Sequence, residues 1–209
     1  MSDLIDQLNA VTRSLGSTTI PAGDARTVVL TRTYAADLED VWDALTTADR
    51  LARWLLPVEG DLHLGGTYRL SDSTRGDILA CEPPHLLRIT WLYGEDVTPK
   101  NISEVEARLE PDGPHTRLTL THAAVDAEDF WAQYGPGATG VGWDLALLAL
   151  HQHLAGTPFN PTTWESTPEA QQAATHSSTT WGETAATTGT PSEQVTQWVE
   201  ATTKFYTTD

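Results

Sequence analysis

Arg32 stands in the run Val28-Val29-Leu30-Thr31-Arg32-Thr33-Tyr34, on the same parity as Val28, Leu30 and Tyr34. A guanidinium on an apolar strand face must be paired or must face a polar cavity, because an unpaired buried charge is expensive. It reads either as one half of a structural ion pair with an acidic side chain at the sheet rim, or as a polar anchor for a ligand head group. His122 ends the run LTLTH on the apolar parity. It is either a hydrogen-bonded core histidine or a general acid/base, and the second role needs a tuning neighbour that the sequence does not supply. Metal chemistry has no pattern to rest on. His151 and His153 are two apart on a helix, so they diverge by about 200°. Asp61 and His63 share a turn with no further ligands, and Cys81 is the single cysteine. No G-x-S-x-G, P-loop, dinucleotide fingerprint or H-E-x-x-H occurs. No reaction is identified from these residues, an enzyme is the less favoured reading, and neither cofactor nor metal is expected.

A second group of residues points to binding. In GDILACEPPHLLRITWLYGED, Leu87, Ile89, Trp91 and Tyr93 share one face of a strand. Tyr68, Trp143 and Leu147 lie on apolar faces elsewhere. Large aromatics either fill a core or line a pocket within it. The candidate ligand-binding set is Arg32, Tyr68, Trp91, Tyr93, His122, Trp143 and Leu147. Trp91 and Trp143 are expected to face each other across a space of roughly 300–1,000 Å³, the usual size of a ligand pocket.

The elements that must position these residues follow from patterning. Leu4, Ile5, Leu8, Val11 and Leu15 make a helical stripe over residues 1–15, broken by GSTTIPAGD. RTVVLTRTY reads as a strand. Asp37 and Thr47 are placed to cap two short helices carrying Val41, Trp42, Leu45 and then Leu51, Trp54, Leu55. GGTYRLSD, GDILACE, LLRITWLY, ISEVEARLE and TRLTLTH follow with short turns, which implies an antiparallel meander. One face is apolar and the other polar, so the sheet needs a single cover. ATGVGWDLALLALHQHLAG supplies it. Trp143, Leu147, Leu150 and Leu154 recur at helical spacing, Val141, Leu145 and Leu148 widen the stripe, and Gly156 ends it. Beyond Gly156, helices are expected near 168–188 and 192–206. Val195, Trp198, Val199, Thr202, Phe205 and Tyr206 form a stripe that should bury Trp198 and Phe205. Trp181 offers a partner surface, and the pair is expected to dock on its own domain.

Length and charge bound the rest. At 209 residues the chain can bury a sizeable core without disulfides or metals. One cysteine permits no internal disulfide. The net charge of −17 opposes binding to nucleic acid and to anionic membranes. No run is long and apolar enough to span a bilayer. MSDLIDQLNA lacks the basic and apolar regions of a secretory signal, so a cytoplasmic location is the expectation.

The order of strand, two short helices, meander and long helix resembles the helix-grip (START/SRPBCC) superfamily. VWDALTTADRLARWLLP, LGGTYRL, GDILACEPPHLLRITW, TRLTLTH and GWDLALLALHQHLAG are similar, in that order, to bacterial homologues of the heat-shock-protein-90 ATPase activator's C-terminal domain. The resemblance implies an α+β helix-grip fold, a curved antiparallel sheet wrapped around a long C-terminal helix. It also implies a space between sheet and helix suited to a small apolar or amphipathic molecule. The expected organisation is an N-terminal helical segment at 1–24, the helix-grip domain at 25–156 and a helical extension at 157–209. Binding of such a molecule by a monomer or homodimer is the leading reading. A polyketide-cyclase-like enzyme assisted by His122 or Arg32, and a chaperone-related protein-binding module, are the alternatives.

Overall fold

The computed structural model of the protein describes residues 2–70, 74–94, 98, 102–125 and 128–208. Eight antiparallel strands form one sheet, from β1 at one edge to β3 at the other. The sheet opens with β1 (Thr12–Ile20) and β2 (Gly23–Tyr34). The chain then leaves it for two short helices, α2 (Leu38–Thr46) and α3 (Ala48–Trp54). It returns through β3 (Glu59–Gly60), β4 (Thr67–Arg69), β5 (Thr74–Glu82), β6 (Leu86–Tyr93), β7 (Ser103–Asp112) and β8 (His115–Val125). β8 closes the topology by pairing with β2, Val28 opposite His122 and Arg32 opposite Leu118. The end of one predicted strand run, residues 71–72, lies outside the described residues.

The short helix α1 (Ser2–Asn9) precedes the sheet. It ends six residues before the predicted helix over 1–15 would. From Thr12 the chain is instead the edge strand β1, in register with β2 from Thr12 opposite Thr31 to Ile20 opposite Gly23. Most of β1 is exposed or half-buried, so it shows no apolar alternation that would mark it as a strand. Leu8 and Val11 are buried, as the stripe required, but Val11 sits in the turn between helix and strand.

α4 (Glu128–Tyr134) leads into the long helix α5 (Gly137–Leu154), which crosses the concave face of the sheet. α5 carries buried residues around much of its circumference, from Gly137, Ala138 and Gly140 to Leu147, Leu148 and Leu150. A helix apolar all round is covered on every side. The sheet grips one side, and the C-terminal elements cover the other. After the short α6 (Pro161–Trp164), α7 (Pro168–Thr187) packs on α5, β1 and α1, and α8 (Ser192–Thr207) packs on α7 and α4. Thr167 caps α7 by accepting from the Ala170 N–H. Asp37 occupies the N-cap position of α2 but makes no side-chain cap bond.

Close helix packing rests on glycines. A Cβ on Gly140 would lie 2.2 Å from the Trp181 ring. One on Gly182 would lie 2.4 Å from Val199, and one on Gly137 2.4 Å from Thr202. Tyr206 folds down onto α5, its hydroxyl donating to the Ala138 carbonyl at 2.6 Å. Trp198 is half-buried, with its Nε1 donating to the Ala132 carbonyl. Phe205, predicted buried beside it, is 54% exposed. The stripe turns Tyr206 inward and leaves Phe205 at the rim.

Candidate functional site

Helix α5 divides the concave side of the sheet into two compartments. On the β5–β8 side lies an apolar cavity of about 130 Å³. β5 and β6 bring Ile78, Leu87, Ile89 and Trp91 to its floor, and β7 and β8 bring Val105, Ala107 and Leu120. α5 forms the roof with Trp143, Ala146 and Leu147, while α2 and α3 contribute Leu45, Leu51 and Trp54. Leu62, in the segment after α3, lines the cavity and is also exposed, so it marks the mouth.

The polar atoms of this wall are almost all spent. Thr46 Oγ1 donates to the Trp42 carbonyl at 2.8 Å and Tyr68 OH to the Thr90 carbonyl at 2.8 Å. Burial also raises the pKa of the Tyr68 phenol, so it stays neutral. The Cys81 thiol is the remaining nucleophile on the lining. Among the described residues, no group of three or more His, Cys, Asp or Glu is placed to hold a metal ion. The arrangement can exclude water from a hydrocarbon surface.

Of the sequence-predicted set, Tyr68, Trp91, Trp143 and Leu147 line the cavity. Trp91 and Trp143 do not face each other across it. Their ring centroids are 5.1 Å apart, in tilted contact, so the two indoles close one end together. This contact takes up space that was expected to be open, which is why the cavity falls below roughly 300 Å³. His122 stands behind the pair. Trp143 Nε1 donates to His122 Nδ1 at 2.9 Å, which places the imidazole proton on Nε2. Burial pulls the His122 pKa down to about 4, so the ring is neutral near pH 7. Its geometry is that of a residue that fixes the Trp143 indole. Tyr93, the last residue of β6, is 69% exposed and lies off the cavity wall. Its parity with Trp91 is real, but the strand has by then run past the covering helix.

His122 titration makes a testable contribution to stability. Its folded pKa lies below the ordinary value of 6.5, so the unfolded chain binds the proton first as pH falls. The native state is favoured above about pH 6.5 and loses this advantage down to about pH 4. The integrated loss is about 3 kcal/mol for a shift of this size. Urea unfolding at pH 7 and pH 4 should show this difference between the wild-type protein and His122→Phe. Equal pH slopes in the two proteins would contradict it.

The other compartment, on the β1–β2 side of α5, is charged and was not foreseen. Asp144 is fully buried, and Arg13 Nε donates to both of its oxygens, at 3.1 and 2.9 Å. Ser177 Oγ and Trp181 Nε1, both from α7, donate to Asp144 Oδ2 at 2.5 and 2.9 Å. Burial pushes the Asp144 carboxyl up, and Arg13, Ser177 and Trp181 pull it back. The sequence signal was there: Asp144 is the lone acidic residue in the apolar run GVGWDLALLAL. Arg32 belongs to this compartment and does not line the cavity. Among the described residues it makes no ion pair, although Asp144 acts on it electrostatically. Its Nη2 donates to Gln7 Oε1 at 2.5 Å, and its guanidinium lies 5.2 Å from the Tyr34 ring centroid.

Residues 35–155 match the family described as Activator of Hsp90 ATPase homolog 1-like protein. The whole architecture is similar to CalU16 from Micromonospora echinospora. Its crystal structure is 34% identical over 85% of this chain and 99% of that one, with a TM-score of 0.69. Its solution structure gives a TM-score of 0.72 at the same identity, over 85% and 96% of the two chains. The protein MLL2253 from Mesorhizobium loti is 27% identical over 64% of this chain and 100% of that one, with a TM-score of 0.55. No curated protein matches the chain. Among the described residues no helix is long and apolar enough to cross a membrane.

Proposed function

The chain belongs to the family of activator of Hsp90 ATPase homolog 1-like proteins, and on that footing we propose that it binds a small apolar molecule in the cavity between the sheet and α5. The observation that carries this reading is the chemistry of the wall. Aliphatic and aromatic carbon lines almost all of it, and its Thr46 and Tyr68 hydroxyls and its Trp54 and Trp143 indole N–H groups are already bonded within the protein. Such a surface gains by covering hydrocarbon and has few groups to orient a polar ligand. At about 130 Å³ the space suits one ring or a short alkyl segment, the remainder of a larger ligand leaving past Leu62. The cyclase alternative, assisted by His122 or Arg32, has less support from the geometry: His122 Nδ1 accepts from Trp143, and neither residue lines the cavity.

Titration with an environment-sensitive apolar dye tests this, with affinity expected near the micromolar range, about −8 kcal/mol. Ala146→Phe fills the roof of the cavity. It should weaken dye binding by at least about tenfold, or about 1.4 kcal/mol, while leaving the circular-dichroism spectrum unchanged. Equal dye binding by the two proteins would place the dye elsewhere and defeat the proposal.

A protein-binding module is the second reading, favoured by one observation. Phe130, Tyr134, Phe205 and Tyr206 form a chain of ring contacts at 5.0–5.4 Å between centroids, and Phe130 and Phe205 are exposed. Exposed aromatics are enriched at protein interfaces.

A further inference from the structure

We propose that Arg32 anchors a second binding site, separate from the apolar cavity, that takes one compact monovalent anion of chloride or formate size between β2 and α1. The argument begins with the guanidinium itself. Arg32 is 2% exposed. Its Nη2 is bonded to Gln7, while its Nε and Nη1 are buried with no hydrogen-bond partner among the described residues. Buried charged donors are paired in native proteins, because a desolvated N–H recovers nothing for the water it gave up.

The neighbouring groups cannot supply the missing acceptor. Among the described residues, the compartment holds two guanidinium groups, Arg13 and Arg32, against the carboxylate of Asp144. That carboxylate is already occupied by Arg13 on both oxygens and by Ser177 and Trp181 on one. The Tyr34 hydroxyl donates to the Leu147 carbonyl, and its ring meets Arg32 only by its face. The compartment therefore carries an excess positive charge in a place where charge is poorly solvated. Burial lowers the pKa of Arg32, and Tyr34 and Asp144 pull it part of the way back. A guanidinium remains protonated throughout the physiological range all the same. The charge has to be balanced by an anion rather than by loss of a proton.

The chemistry of the anion follows from the surroundings. Leu8 and Leu30, on the two elements that flank Arg32, are both fully buried. One guanidinium with two open nitrogens matches a single negative charge with lone pairs in one plane. A phosphate or sulfate would bring a second charge with no second cation to meet it. The route of entry is α1, a two-turn helix of eight residues whose Gln7 covers the guanidinium. Short elements open locally at lower cost than the core.

The test uses the full-length protein in gluconate buffer at constant ionic strength, with chloride, formate or acetate replacing gluconate stepwise. Wild-type protein should show a saturable rise in melting temperature, roughly 5 °C at about a hundred times the dissociation constant. Arg32→Met should lack the saturable part, and the surface control Arg53→Met should keep it. Chloride-35 line broadening of wild-type protein, reversed by formate, measures the site directly and stands even if Arg32→Met does not fold. A halide response without carboxylate competition, or the reverse, identifies which anion the site takes. The response should survive Asp3→Asn and Asp6→Asn, the acidic residues in the α1 sequence. Two outcomes overturn the proposal. One is a salt response that is linear and equal in wild type and Arg32→Met; the other is absence of protein-dependent chloride broadening, which leaves water as the only partner.

Discussion

Asp144→Ala is expected to lower stability by about 3–5 kcal/mol, the range for removing one partner of a buried ion pair. For a chain of this size that is a fall in melting temperature of roughly 6–20 °C. The reason lies in what the carboxylate holds together. Its three partners come from two elements distant in sequence: Arg13 on β1, and Ser177 and Trp181 on α7. Removing the carboxylate leaves the Arg13 guanidinium, itself almost wholly buried, with only the Val11 and Leu8 carbonyls. Replacing both ends, as Arg13→Met with Asp144→Leu, removes the unpaired charge and should recover a large part of the loss. Urea unfolding of the two single variants and the double variant measures the coupling. A loss below about 1 kcal/mol for Asp144→Ala would mean that the cluster is solvated and the argument wrong.

Trp181→Ala and Phe205→Ala should separate sharply, although both aromatics lie in the C-terminal helices. Trp181 is completely buried, lies over Gly140 and donates to Asp144. Its truncation should cost about 3–5 kcal/mol, the usual range for a large buried aromatic. Phe205 touches Tyr134 and Tyr206 but is 54% exposed, and its truncation should cost less than about 1 kcal/mol. Denaturant melts with tryptophan fluorescence and circular dichroism can compare the two. Comparable losses would show that the helix pair is held by its rim rather than by its contact with α5.

Much of this architecture was legible because the signals were local. The meander alternates cleanly, α5 carries a long apolar stripe ended by Gly156 (φ +66°), and the helical pattern near 168–188 matches α7. β1 was not legible. Its residues TRSLGSTTI lie on an exposed edge, and it is a strand because β2 pairs with it. The site divides along the same line. Tyr68, Trp91, Trp143 and Leu147 were found through parity, which reports the face of an element. Parity does not report position along that face. Arg32 points inward as expected and yet lies on the far side of α5, while Tyr93 lies past the end of the helix that covers the sheet. Asp144 needed knowledge that α5 would be enclosed on both sides, and that depends on a fold of α7 that no window around residue 144 contains.

The glycines at 137, 140 and 182 bear on how the C-terminal extension can be inherited or transplanted. Each is a notch filled by a side chain from the facing helix: Thr202 at Gly137, Trp181 at Gly140 and Val199 at Gly182. The keys on α7 and α8 therefore belong to particular locks on α5 and α7. A chimera that joined residues 1–156 of this chain to the extension of a relative would fit only if the bulky and the small positions were exchanged together. The extension is thus a poor cassette. Its sequence is free to drift at Phe205 and along the outer face of α8, but at these three contacts it is bound to change only in step with the helix beneath it.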